Sequence, residues 1–127
     1  TWRNEAHKKM TQMAEKLAES MGARCEFKIQ RGYPFLVNEK KLTDEVRVHA
    51  IEYLGKENVL EEDIWMAGED FAYYSQVADA CFYLCGVGNE KKNITSSLHT
   101  PTFDIDEDVL AMSPGLMAYI ALKRLGN

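Results

Sequence analysis

Several features are missing from this sequence, and each absence narrows its class. No apolar run approaches the roughly 18 residues that a membrane span needs. The segment Thr1-Trp2-Arg3-Asn4-Glu5 has neither the apolar core nor the cleavage site of a signal peptide, and no initiator Met opens the chain. Basic residues are in deficit: 15 Lys and Arg stand against 20 Asp and Glu, a formal charge of −5. With no basic stripe, nucleic acid is a poor partner, because its affinity comes largely from clustered Lys and Arg. The same deficit argues against an anionic membrane surface. The three cysteines are too few, and odd in number, for a disulfide framework. Free thiols with no export signal point to a reducing, cytoplasmic setting. The chain has no internal repeat, no Gly-x-Ser-x-Gly elbow and no His-Glu-x-x-His pair, and Gly86-Val87-Gly88 is only a fragment of a phosphate loop.

The 127 residues are 46% apolar and 28% charged, the balance of a soluble globular protein. Ala6, Met10, Met13, Ala14, Leu17 and Met21 recur at spacings of three and four, which predicts a helix over 4–21 ended by Gly22. Cys25, Phe27 and Ile29 then alternate with Glu26, Lys28 and Gln30, the pattern of a half-buried strand. Gly32 and Pro34 break that pattern, and Asn38 is placed to cap a second helix bearing Leu42, Val46, Ala50, Tyr53 and Leu54. Short extended segments are expected at 59–60 and 64–66, and one or two helical turns at 69–74. The run Cys81-Phe82-Tyr83-Leu84-Cys85 reads as a strand buried on both faces. Asp106 is placed to cap a short turn, and Ser113-Pro114 to open the last helix. Helices alternating with strands predict an α/β chain with a boundary near Gly32. The strand at 25–30 has no hairpin partner nearby in sequence, and a strand without neighbours is unstable.

Three side chains are candidates for chemistry. His99 sits in the loop Leu98-His99-Thr100-Pro101, where a neutral imidazole on a restricted backbone could bind a metal. Glu69 and Asp70 follow Gly68, where paired carboxylates could orient a substrate or serve acid/base work. Taken alone, these residues read more readily as a surface histidine and as acidic partners of a helix dipole. His7 and His49 fall on helices among charged neighbours and read as solvated surface. Cys81 and Cys85 read as small buried apolar residues.

Together the segments resemble one family. Met66-Ala67-Gly68-Glu69-Asp70-Phe71-Ala72-Tyr73-Tyr74 is similar to the Gly-x-Glu-Asp-Phe segment of the dinuclear metallopeptidases that include hippurate hydrolase, indole-acetyl amino acid hydrolase and N-acetyl-diaminopimelate deacetylase. Leu98-His99-Thr100-Pro101-Thr102-Phe103-Asp104-Ile105-Asp106-Glu107 resembles their Leu-His-Ser/Thr-Pro-x-Phe-Asp-x-Asp-Glu segment, and Arg31-Gly32-Tyr33-Pro34 their crossing from lid to catalytic domain. The resemblance implies a C-terminal fragment. Residues 1–31 would be the last helix and strand of an α+β lid, or dimerisation, domain, and 32–127 part of a three-layer catalytic domain like that of zinc exopeptidases. It implies amide hydrolysis of N-acyl amino acids such as hippurate, with a divalent metal pair of zinc, manganese, cobalt or nickel. His99 would be a metal ligand, and Glu69 and Asp70 would line the substrate site. The remaining ligands and the general base have no counterpart in this sequence, so the chain alone is expected to be inactive. Self-association through residues 1–30 is expected, each copy supplying what the other lacks. The alternative is a non-catalytic interaction or assembly module derived from the same family.

Overall fold

A computed structural model describes residues 2–126. The chain divides into two compact units, Thr1–Gly32 and Tyr33–Asn127.

The first unit is a helix, α1 (Trp2–Ser20), followed by a segment without repeating structure. Gly22 ends the helix at φ 72, a left-handed conformation that glycine adopts without strain, and Gly22 N and Ala23 N donate to Glu19 O and Ala18 O. Along α1 the half-buried positions include His7, Thr11, Ala14 and Ala18, one stripe at helical spacing. Met10, Met13, Leu17 and Met21 are exposed, the last to 77%. The apolar stripe read from the sequence is therefore largely uncovered within this unit. Cys25, Phe27 and Ile29 are half-buried and the residues between them exposed, so the expected alternation is present in burial. The expected strand is not.

Among the described residues no β-strand forms at all; pairing is limited to one isolated antiparallel bridge between Asn89 and Ile94. The expected α/β architecture is thus not confirmed: the described residues form helices and no strand. Segments 25–30, 59–60, 64–66 and 81–85 have strand-like composition, yet a strand is stable only when a neighbour takes up its N–H and C=O groups. The segment at 81–85, read as buried on both faces, carries Leu84 at 49% exposure.

The second unit is built on α2 (Lys40–Leu54) and α3 (Val109–Leu125). Ala50 packs with Leu116 and Ile120, and Val46, Leu54, Val59 and Tyr83 close around them. Polar contacts flank this seam: Arg124 reaches Glu45 at 2.7 Å, and Glu52 accepts from the Tyr119 hydroxyl at 3.1 Å and lies 3.3 Å from Lys123. Exposed pairs of this kind contribute little each, so the seam's stability comes mainly from the apolar contacts. His49, expected at the solvated surface, has a side chain only 12% exposed, edge-on to Tyr119 and 3.3 Å from Glu52. Its position on the α3-facing side of α2 takes it out of water.

Two helix starts differ from expectation. The cap of α2 is Glu39, whose carboxylate accepts from Lys41 N at 3.0 Å and Leu42 N at 2.6 Å, which holds its pKa below the ordinary carboxylate value. The Asn38 carboxamide instead bonds the backbone of Phe82. Helix α3 begins at Val109, so Ser113-Pro114 lies inside it rather than at its start. Proline there removes one i→i−4 bond, a loss the helix tolerates because later turns pack against α2.

Candidate functional site

Glu69 and Asp70 begin a 3₁₀ segment, Asp70–Gln76. One Glu69 oxygen accepts from Phe71 N at 3.0 Å, capping the turn. Phe71 stacks on Phe82 and Tyr74, with ring centroids 5.4 and 5.5 Å apart, and Ala72 is fully buried, so aromatic packing fixes the turn from within. Tyr33 meets Tyr73 edge-on at 6.1 Å. Asp70 is exposed and, among the described residues, its carboxylate makes no hydrogen bond or ion pair.

Residue 99 stands at the tip of a tied loop. Asn89 and Ile94 exchange backbone hydrogen bonds at 2.8 and 2.9 Å, closing a turn whose last residue before Ile94, Asn93, is left-handed at φ 58. Beyond it the Ser96 and Thr102 hydroxyls meet at 2.8 Å, the Thr100 hydroxyl donates to Ser97 O at 2.8 Å, and Phe103 N donates to Thr100 O at 3.1 Å. Between those ties His99 adopts φ 62, a conformation uncommon for any residue with a Cβ. Its imidazole is exposed and engages no other described residue.

Asp106 anchors the loop's exit. It is the polar or charged side chain that is buried among the described residues, at 7% exposure. One oxygen accepts from Asn89 Nδ2 at 2.6 Å; the other accepts from Lys92 Nζ at 2.6 Å and Asp108 N at 3.2 Å. These donors, Lys92 first and Asn89 next, pull its pKa down from 3.8 to about 2, and the two carboxylates at 106 and 108 push that of Lys92 up. The sequence marks Asp106 as a cap of the following turn and, with Asp104, as part of the Asp-x-Asp-Glu stretch of the family-like segment. Burial separates it from Asp104.

The structure joins none of the three sequence candidates to another: no hydrogen bond or ion pair links His99 with Glu69 or Asp70. Among the described residues no group of three or more His, Cys, Asp and Glu side chains is arranged to hold a metal ion. A catalytic zinc site normally uses three protein ligands and an open position. The donor set here therefore fits as one contribution to such a site, the unengaged His99 imidazole, and not as a site in itself. Cys25, Cys81 and Cys85 are free thiols, all half-buried. No helix among the described residues is long and apolar enough to cross a membrane.

Comparison with known proteins supplies the context. Residues 4–123 match the family model described as peptidase family M20/M25/M40. Over 123 residues the chain is 32% identical to thermostable carboxypeptidase 2 of Saccharolobus solfataricus, covering 95% of this chain and 30% of that protein. Thermostable carboxypeptidase 1 of the same organism matches to the same extent, 32% over 123 residues, with 95% and 30% covered. IAA-amino acid hydrolase ILR1-like 6 of Arabidopsis thaliana is 32% identical over 95 residues, 75% of this chain and 20% of that protein. The chain thus spans about 30% of the length of the two carboxypeptidases. No solved structure matches.

Proposed function

The chain belongs to the peptidase family M20/M25/M40, and on that premise we propose that it is the C-terminal portion of a metal-dependent amidohydrolase cleaving the amide bond of N-acyl amino acids. The observation that carries this reading is the presentation of His99: exposed, unengaged, in a left-handed conformation, at the tip of a loop tied on both sides. A residue held in a sparsely populated conformation by its surroundings is a functional candidate. His99 binds as the neutral imidazole and contributes one ligand; the other ligands and the general base come from polypeptide outside this sequence. When bound, a divalent pair of zinc, manganese, cobalt or nickel supplies a water of lowered pKa and polarises the acyl oxygen.

The two carboxylates at 69 and 70 divide the remaining work. Glu69 holds the turn through Phe71 N, and Asp70, free of internal partners, faces substrate. Residues 32–127 then belong to a three-layer catalytic domain and 1–31 to its lid, whose missing strands complete the ladder that 25–30 lacks. The exposed Met10, Met13, Leu17 and Met21 serve that lid or a second copy of the chain, and an apolar face of this kind favours a homo-oligomer through residues 1–30. Three free thiols fit a cytoplasmic setting.

The test compares the 127-residue chain with the complete polypeptide on hippurate and N-acetyl amino acids, with zinc or manganese added and removed. Metal-dependent turnover is expected from the complete polypeptide alone. Turnover by the isolated chain, abolished by His99→Ala, would overturn the reading of a shared site. A complete polypeptide inert on every acylated amino acid, yet assembling through these surfaces, would favour the interaction module instead.

A further inference from the structure

We propose that Asp106 is a positioning residue for His99, fastening the two ends of the loop that carries the histidine so that its imidazole is held in one place. The inference rests on the reading of His99 as a ligand. Its basis is how the loop is closed. Residues 87–94 enter the loop and 104–108 leave it. Asp106 joins them three times, through Asn89 Nδ2 and Lys92 Nζ on its carboxylate and through its own N–H, which donates to Val87 O at 2.8 Å. A fourth contact, from Asp108 N, fixes the carboxylate on the exit side.

Inside this outer clamp lies the Ser96–Thr102 tie, and inside that the turn from Ser97 to Thr100. The closures are nested, with His99 innermost. A left-handed histidine relaxes toward the ordinary regions of backbone space unless its flanks are held, and the outer clamp is the strongest hold available because its carboxylate is buried and charge-paired. None of the clamp's residues belongs to the apolar seam between α2 and α3, so the cluster is placed to serve the loop and not the core.

The pairing also supplies its own control. Asp106→Asn puts an N–H₂ group against the Asn89 carboxamide. Turning Asn89 over to accept would remove the acceptor it now offers Lys91 N and Lys92 N. The exchange Asp106→Asn/Asn89→Asp restores the complementarity, because a carboxylate at 89 both accepts from the new carboxamide and still caps those two N–H groups.

The experiment measures zinc affinity of the complete polypeptide by competition with a chelating dye, with the melting temperature recorded in parallel. Asp106→Asn is expected to weaken zinc binding by up to about 10-fold, the low end of the effect of losing a direct hydrogen-bond partner of a ligand, because the clamp reaches His99 only through the loop's backbone. The exchange variant should recover most of that loss, and Lys92→Met, a milder cut to the same clamp, should weaken binding less. Unchanged affinity in His99→Ala would remove the premise. Weakened affinity in His99→Ala with unchanged affinity in Asp106→Asn and Lys92→Met would overturn the positioning role alone. Affinity that merely follows melting temperature, without recovery in the exchange variant, would overturn it as well.

Discussion

The sharpest structural test concerns Asn38. Its Nδ2 donates to Phe82 O at 2.8 Å and its Oδ1 accepts from Phe82 N at 2.7 Å, so one carboxamide satisfies both backbone groups of a residue 44 positions away. One step along, Glu39 N donates to Ala80 O at 2.8 Å. This stitches the start of α2 to the 80–82 segment, doing with a side chain what a neighbouring strand would do with its backbone. Asn38→Ala removes two hydrogen bonds at a half-buried place, each worth a net 0.5–1.5 kcal/mol, for a loss of about 1–3 kcal/mol. Asn38→Asp should cost at least as much, since it keeps the acceptor but sets a carboxylate oxygen against Phe82 O. Urea denaturation of the three proteins gives the differences, and hydrogen exchange at the Phe82 amide gives a local readout. An Asn38→Ala change within about 0.5 kcal/mol, the range of an ordinary surface substitution, would refute the reasoning.

Further outcomes follow from single side chains. Asp106 has a folded pKa below its ordinary value, so the stability it contributes is complete above pH about 4 and lost as pH falls toward about 2; acid titration of Asp106→Asn should show a flatter decline over that window. The Tyr83 hydroxyl is buried with no hydrogen-bond partner among the described residues, so Tyr83→Phe should leave thermal stability unchanged or raise it by up to about 1 kcal/mol, and a loss of more than that would show a missing partner. Pro114 lies six residues into α3, so Pro114→Ala should raise the unfolding free energy by about 1–3 kcal/mol, and destabilisation would place the helix start at Ser113 after all.

What the sequence could and could not reveal divides along the range of the interactions. Helices α1, α2 and α3 are set by local periodicity, and Gly22 and Gly55 mark ends that need φ of 72 and 89. The expected strands are not present among the described residues because pairing is non-local: the alternation at 25–30 survives in burial, but no neighbour among those residues takes up its backbone groups in a ladder. The apolar stripe of α1 is legible in the sequence, and Met10, Met13, Leu17 and Met21 are exposed, as its lack of a covering element leads one to expect. Asn38 satisfies the same local rule for a helix cap as Glu39, and only its partner at Phe82 separates them. Of the candidate residues, His99, Glu69 and Asp70 could be picked out by motif. Asp106 stands in the same family-like segment as His99, but the resemblance gives it no role, and only its burial against Asn89 and Lys92 separates it from Asp104.

The central claim, that His99 ligates the metal of an amidohydrolase site, is tested most directly by measuring bound metal and hippurate hydrolysis in the complete polypeptide carrying His99→Ala, beside His7→Ala and His49→Ala. The account predicts a loss of bound metal and a fall in turnover of more than about 100-fold for His99→Ala at unchanged melting temperature, since removing a ligand should exceed the effect of removing an outer partner. His7→Ala should alter neither metal content nor turnover, and His49→Ala should lower only the stability, through its contacts with Tyr119 and Glu52. Full metal content and near-normal turnover in His99→Ala would contradict it.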